Sequence, residues 1–160
     1  MAELTPAARR FQDVLDARGL AIAVEEHESS ARTAQEAADT LGIAVGQIVK
    51  SLVFRGEKTG AAYLLLVSGS NRAAEDKAAA ILGEPIGRAD ARFVRDSTGY
   101  VIGAVPPFGH ATRLRTLVDR DLLRFERISA SGGSVRATFF LTPAILLAQS
   151  GGEVADIAAT

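Results

Sequence analysis

The chain has 160 residues, enough for one hydrophobic core and too few for two full-sized domains, so residues 1–160 are expected to form a single domain. With 48% apolar and 23% charged residues it is not compositionally disordered, and a net charge of −1 excludes a uniformly basic nucleic-acid coat protein. The absence of Cys removes disulfides, zinc-thiolate sites, iron–sulfur clusters and thiol nucleophiles. No apolar run approaches the roughly 18 residues of a membrane span, and the start, Met1 to Pro6, lacks a signal-peptide core, so a cytoplasmic protein without a membrane partner is expected.

Thr5-Pro6 places a cap residue before a proline at the first helical position, and Phe11, Val14 and Leu15 follow at helical spacing, predicting a helix over 6–18 that Gly19 ends. Residues 20–25 read as a short strand. Thr33 to Glu36 form a capping box for a helix running to Gly42. Two strand-like runs, 48–55 and 61–68, flank a Gly-bounded turn and predict a hairpin. Asn71 is placed to cap an Ala-rich helix ending at Leu82, and 90–97 reads as another helix. A strand is expected at 100–102. The segment Gly103-Ala104-Val105-Pro106-Pro107-Phe108-Gly109 cannot extend it, because two prolines remove consecutive ladder donors. Further strands are expected over 113–118, 122–128 and 135–141, with Gly132-Gly133 between the last two, before a helix that Thr142-Pro143 opens. Helices and strands intermix around hairpin-like connections. This order favours an α+β fold with a mixed or antiparallel sheet over regular βαβ winding.

Arg outnumbers Lys 15 to 3, which makes each lysine an uncommon choice. In the strand at 48–55, Ile48, Lys50, Leu52 and Phe54 share one face. If that face is the core side, Lys50 points inward and its ammonium needs an anion from the protein or a ligand. The other reading is an edge-strand lysine that snorkels to water. The loop 103–109 can hold backbone N–H groups against a cavity and stabilise an oxyanion, or it can simply pack Phe108 on the core. His110 follows that loop without a Ser or carboxylate at a recognisable spacing, and His27, between Glu26 and Glu28, reads as a surface residue. Two distant His give no metal signature, and P-loop, dinucleotide-binding and Gly-x-Ser-x-Gly motifs are absent. The arginines from Arg113 to Arg127 are interleaved with Asp119, Asp121 and Glu126, the pattern of a solvated charged face.

Four segments in order carry a resemblance: Ile48 to Phe54 around Lys50, Val67 to Arg72, Thr98 to Gly109, and Ser131 to Gly133. Together they resemble the YbaK/ProX family of aminoacyl-tRNA deacylases, related to the editing insertion domain of bacterial prolyl-tRNA synthetases. The resemblance runs from about residue 20 to the C-terminus and implies a curved, barrel-like mixed sheet flanked by helices. It implies a hydrolase, acting in trans without a cofactor or metal, on misacylated tRNA(Pro) carrying alanine, cysteine or another small amino acid. Its partners would be the acceptor end of an aminoacyl-tRNA and prolyl-tRNA synthetase. Lys50 matches the family's functional lysine, and Gly103 and Pro107 match its Gly-x-x-x-Pro loop. Ser68, Gly69, Val105, Pro106, Phe108, Ser131 and Gly132 are the implied substrate contacts. Some relatives carry a histidine just after the Gly-Gly turn, where this chain has Val135-Arg136. That departure motivates a second reading, a module that binds a tRNA 3′ end or nucleotide without cleaving it. Hydrolysis of an unrelated small acyl ester is a third.

Overall fold

A β-strand buried on both faces divides two hydrophobic clusters and sets the frame of the molecule. The computed structural model describes residues 3–160; Met1 and Ala2, the first residues of the expected domain, lie outside the described residues. The central strand is β3 (Ala62–Ser68), the second arm of the predicted hairpin with β2 (Val49–Gly56). Leu64 and Leu66 project into the larger cluster with Phe11 and Leu15 of α1 (Pro6–Ala17). Tyr63, Leu65 and Val67 project into the smaller one with Ala78 and Leu82 of α3 (Glu75–Leu82). The uninterrupted apolar run at 64–67 is the sequence signature of such a doubly covered strand.

Around β3 the main sheet runs in the order β4-β2-β3-β5-β8, where β4 is Ile86–Arg88, β5 is Arg115–Asp119 and β8 is Glu153–Ala155. The β4, β2 and β3 strands are antiparallel neighbours, whereas β5 runs parallel to both β3 and β8. A second sheet, in the order β1-β7-β6, is antiparallel and comprises Glu25–Glu26, Ala137–Leu141 and Ile128–Ser131. One parallel bridge, Ile48 to Ser129, links the two sheets. With α2 (Ala34–Leu41), α4 (Ala91–Thr98) and α5 (Pro143–Ser150) the five helices complete a mixed α+β fold of the expected class.

Several local expectations change for identifiable reasons. Thr5 does not cap α1 with its side chain; its hydroxyl donates to Glu26 at 2.8 Å instead. The strand expected at 20–25 shrinks to Glu25–Glu26, because Gln12 accepts from Val24 N–H and donates to Ile22 C=O, satisfying that backbone without a neighbouring strand. Thr33 does cap α2, but Glu36 reaches back to the amide of Arg32, one residue ahead of the capping-box partner. Asn71 caps nothing: α3 begins at Glu75, and the Asn71 side chain is engaged elsewhere. Residues 100–102 form no strand, since Tyr100 N–H is taken by the Thr98 hydroxyl and Ala104 N–H by Val101 C=O. The strand expected over 122–128 is a 3₁₀ turn, Arg120–Arg124, followed by β6. The three-residue edge strands β4 and β8 carry too little pattern to be read from sequence.

Glu84 staples the hairpin from outside. Its carboxylate accepts the Thr59 hydroxyl at 2.6 Å, the Tyr63 hydroxyl at 2.5 Å and the amides of Lys58 and Thr59 at 2.9 and 3.0 Å. These bonds, the Thr59 hydroxyl foremost, hold its pKa at about 2, below the ordinary 4.5. A depressed carboxylate stabilises the fold fully above its unfolded pKa and loses that contribution on protonation. Thermal unfolding should therefore show a melting temperature that falls as pH drops from 4.5 towards 2, with a visibly smaller fall in Glu84→Gln.

Candidate active site

The bridge at Ile48 and the pairing of β4 with only Phe54–Gly56 leave the middle of β2 without a strand neighbour on that edge. A cleft of about 350 Å³ occupies the gap. It is lined by Val49 to Leu52 of β2, by Thr33, Ala34 and Ala37 at the start of α2, and by Gly103 and Val105. Residues of β6 and β7 with their turn, including Ser129, Ser131, Ser134, Val135 and Thr138, close the end. A neighbouring hollow shares Ser51, Leu52, Gly103 and Val105 and extends towards Glu75 and Arg88.

Lys50 lies half-buried in the cleft, which sets aside the reading of a lysine stretched into bulk water. Its ammonium donates to the backbone carbonyl of Asn71. Among the described residues no carboxylate forms a contact ion pair with it. Burial pushes its pKa below the ordinary lysine value, Asp119 opposes that shift, and Arg72 adds to it. An ammonium carries three donors, so two remain for a ligand in the cleft.

Another part of the cleft lining is Gly103, where the chain turns with a φ of +86° that is open to glycine and strained for other residues. Ala104 N–H is used by Val101 C=O at 3.0 Å. The amides of Gly103 and Val105 have no hydrogen-bond partner among the described residues, and both residues line the cleft. Pro106 and Pro107 contribute stiffness but no amide hydrogen. His110 donates Nε2–H to Pro106 C=O at 2.6 Å and ties down the far side of the bend; burial lowers its pKa.

Other residues singled out from the sequence are distributed unevenly. Ser131 lines the cleft, and Gly132 sits behind it against Val24. Pro107 and Phe108 instead wall a separate hollow with Arg18 and His110. Phe108 is a core residue, 5.5 Å from the Phe11 ring and 6.1 Å from that of Phe139, and Pro106 is buried with its carbonyl engaged, so both support the bend and neither lines the cleft. Ser68 and Gly69 also lie outside the cleft lining. Ser68 is fully buried, donating its amide to Asp119 at 3.0 Å and its hydroxyl to Gly46 C=O at 2.7 Å. Gly69 is pressed against Val45.

The position of the Val135-Arg136 departure is on the cleft wall, where Val135 supplies an apolar surface. His27, read as a surface residue, is half-buried and pairs with the Thr138 hydroxyl at 2.9 Å. Asn71 falls in the Val67 to Arg72 segment but reads there as a helix cap, and Asp119 carries no motif; only their convergence in space shows that they brace Lys50. The arginine segment is exposed as expected, but of the interleaved acids only Asp121 pairs with it, through Arg124 at 3.1 Å; Arg115 and Arg120 face Glu153 and Asp156 at 3.6 Å, and Asp119 is buried. No group of three or more potential metal ligands occurs among the described residues, and no helix is long and apolar enough to cross a membrane.

Comparison with known proteins adds an independent line. Residues 28–148 match the model of the aminoacyl-tRNA editing domain. A solved structure provisionally described as a trans-editing enzyme for prolyl tRNA synthetase superposes with a TM-score of 0.93 at 50% identity, covering 99% of this chain and 100% of that one. EbsC of Enterococcus faecalis, provisionally named a Cys-tRNA(Pro)/Cys-tRNA(Cys) deacylase, is 26% identical over 133 residues, 83% of this chain and 79% of EbsC. YwhH of Bacillus subtilis, which is uncharacterised, is 33% identical over 120 residues, 75% of this chain and 76% of YwhH.

Proposed function

The chain belongs to the aminoacyl-tRNA editing domain family and is an aminoacyl-tRNA deacylase; on that premise we propose that it clears mischarged tRNA(Pro) in trans. The amino acid released is small, alanine or cysteine, and the reaction takes place in the cytoplasm, where prolyl-tRNA synthetase is a partner. The observation that carries this reading is the pairing of a half-buried ammonium with an amide-bearing bend across one cleft.

An aminoacyl ester is an activated acyl group, so its hydrolysis needs a placed water and a stabilised oxyanion more than a powerful nucleophile. The amides of Gly103 and Val105 are the donors offered to the carbonyl oxygen as it becomes an oxyanion. Lys50 binds a phosphate or carbonyl oxygen of the 3′ end and fixes the ester against the bend. The terminal ribose hydroxyl assists the attacking water; one water proton leaves with the ribose oxygen, and the amino acid departs as the free acid. Selection is by size. The walls of Ala34, Ala37, Val49 and Val135 admit a short side chain, and each additional methylene that must be excluded is discriminated by only about 1–3 kcal/mol.

The test is a deacylation panel. Ala-tRNA(Pro) and Cys-tRNA(Pro) should be hydrolysed well above Pro-tRNA(Pro), and aminoacyl-adenosine should be a poorer substrate than full tRNA. Saturable binding without release from any mischarged species would establish the non-catalytic reading instead, which the Val135-Arg136 departure motivates. Equal turnover of aminoacyl-adenosine and tRNA would point to a general esterase.

A further inference from the structure

Asp119 stands at the end of β5, with no exposed surface and no cation in contact among the described residues. A buried, unpaired carboxylate is costly unless its lone pairs are filled and its charge has a use. The lone pairs are filled by neutral donors. Oδ2 accepts Ser68 N–H at 3.0 Å and Asn71 Nδ2 at 2.8 Å, and Oδ1 accepts Asp121 N–H at 2.9 Å. Asn71 Nδ2 also donates to Asp121 at 2.8 Å, so both its amide hydrogens are held. A residue pinned in this way presents its backbone carbonyl in one direction, and that carbonyl receives the Lys50 ammonium.

We propose that Asp119 is the positioning residue for Lys50: acting through Asn71 it aims the ammonium into the cleft, and its charge keeps that ammonium protonated without occupying it as a contact ion pair. The arrangement explains why the counter-charge sits one residue removed. A carboxylate in direct contact would consume the donors that a substrate oxygen needs. The proposal rests on the assignment of Lys50 to substrate binding. The charged groups around the amine are Asp119 from β5, Asp121 beyond Asn71, Arg72 from the loop after β3 and Arg32 on the facing cleft wall. Of these, Asp119 is the one that offsets the burial of the amine.

The chain contains three lysines, so protein labelled with ¹³Cε-lysine gives three resonances, and Lys50→Met identifies the one of interest. In Asp119→Asn the Lys50 midpoint should move down by on the order of one pH unit, with the other two lysine resonances as internal references. The alkaline limb of deacylation should move with it. Asp119→Thr, whose hydroxyl can still accept one amide hydrogen without the charge, serves if the Asn variant does not fold. Asn71→Ala keeps the charge but frees the carbonyl, so it should leave the Lys50 midpoint in place and lower kcat by about tenfold or more. An unmoved Lys50 midpoint in both Asp119 variants, or full kcat in Asn71→Ala, would overturn the proposal. The titration reads the amine itself, so its outcome is separate from whether deacylation needs Lys50.

Discussion

Lys50→Met is expected to lower kcat/KM for a mischarged tRNA by about 10²–10³-fold, the effect of removing one aligned donor from the site. Methionine keeps the length and apolar stem of the lysine, so the loss isolates the ammonium. Folding should not suffer, because the ammonium is desolvated and its protein contact is a single carbonyl. Stability should even lose a pH dependence. A lysine with a lowered folded pKa binds fewer protons when folded than when unfolded, so wild-type stability rises with pH between that lowered value and the ordinary 10.5. The Met variant should lack this rise. Lys50→Arg should not restore activity, since a planar fork cannot donate to the Asn71 carbonyl and present the same point charge. Wild-type kcat/KM in the Met variant would remove Lys50 from the mechanism, and with it the main physical support for the proposed reaction.

Gly69→Ala is expected to produce the largest loss of stability among single methyl additions near the site. A Cβ at this position would lie 2.4 Å from the Val45 carbonyl oxygen and 3.0 Å from the Cβ atoms of both Ala34 and Ile48. The first neighbour is backbone, so the 3₁₀ turn Val45–Gln47 and the start of α2 must shift. That turn is also held by Gly69 N–H on Ile48 C=O at 2.7 Å. Overpacking of this kind costs about 2–3 kcal/mol, which for a domain of this size lowers the melting temperature by about 5–10 °C. Ala34 is a cleft wall, so activity should fall as well. Gly103→Ala offers a contrast, because nothing lies within 4 Å of its added Cβ. Its expense is backbone strain at φ +86°, about 1–2 kcal/mol, borne by the bend that carries the free amides. An unchanged melting temperature in Gly69→Ala would mean that β3 and the 45–47 turn can separate without cost.

Much of the fold was legible from periodicity and punctuation. The helices opened by Pro6, Thr33, Asp90 and Thr142, the β2–β3 hairpin and the Gly132-Gly133 turn all lie where local chemistry places them. Two of the misses share one cause: a side chain distant in sequence satisfied a backbone or competed for a cap. Gln12 replaced a strand neighbour for residues 22–24, and Asp119 and Asp121 took Asn71 away from α3. The 3₁₀ turn at 120–124 begins where Asp119 accepts the Asp121 amide, a local bond that outweighs the strand-like look of the residues after it.

For the site, the sequence by itself determined which chemistry was available. A cysteine-free chain excludes thiol chemistry, and three lysines and a double-proline bend bring an ammonium and backbone amides forward, because these groups are written directly in residue type. Only the tertiary structure decided which of them meet. Lys50 and the Gly103–Val105 segment line one cleft beside the edge of β2 that has no strand neighbour, whereas Phe108, three residues on from Val105, lies in the core. Strand pairing, sheet edges and the burial of a lone carboxylate depend on contacts between segments far apart in the chain. No local pattern encodes them.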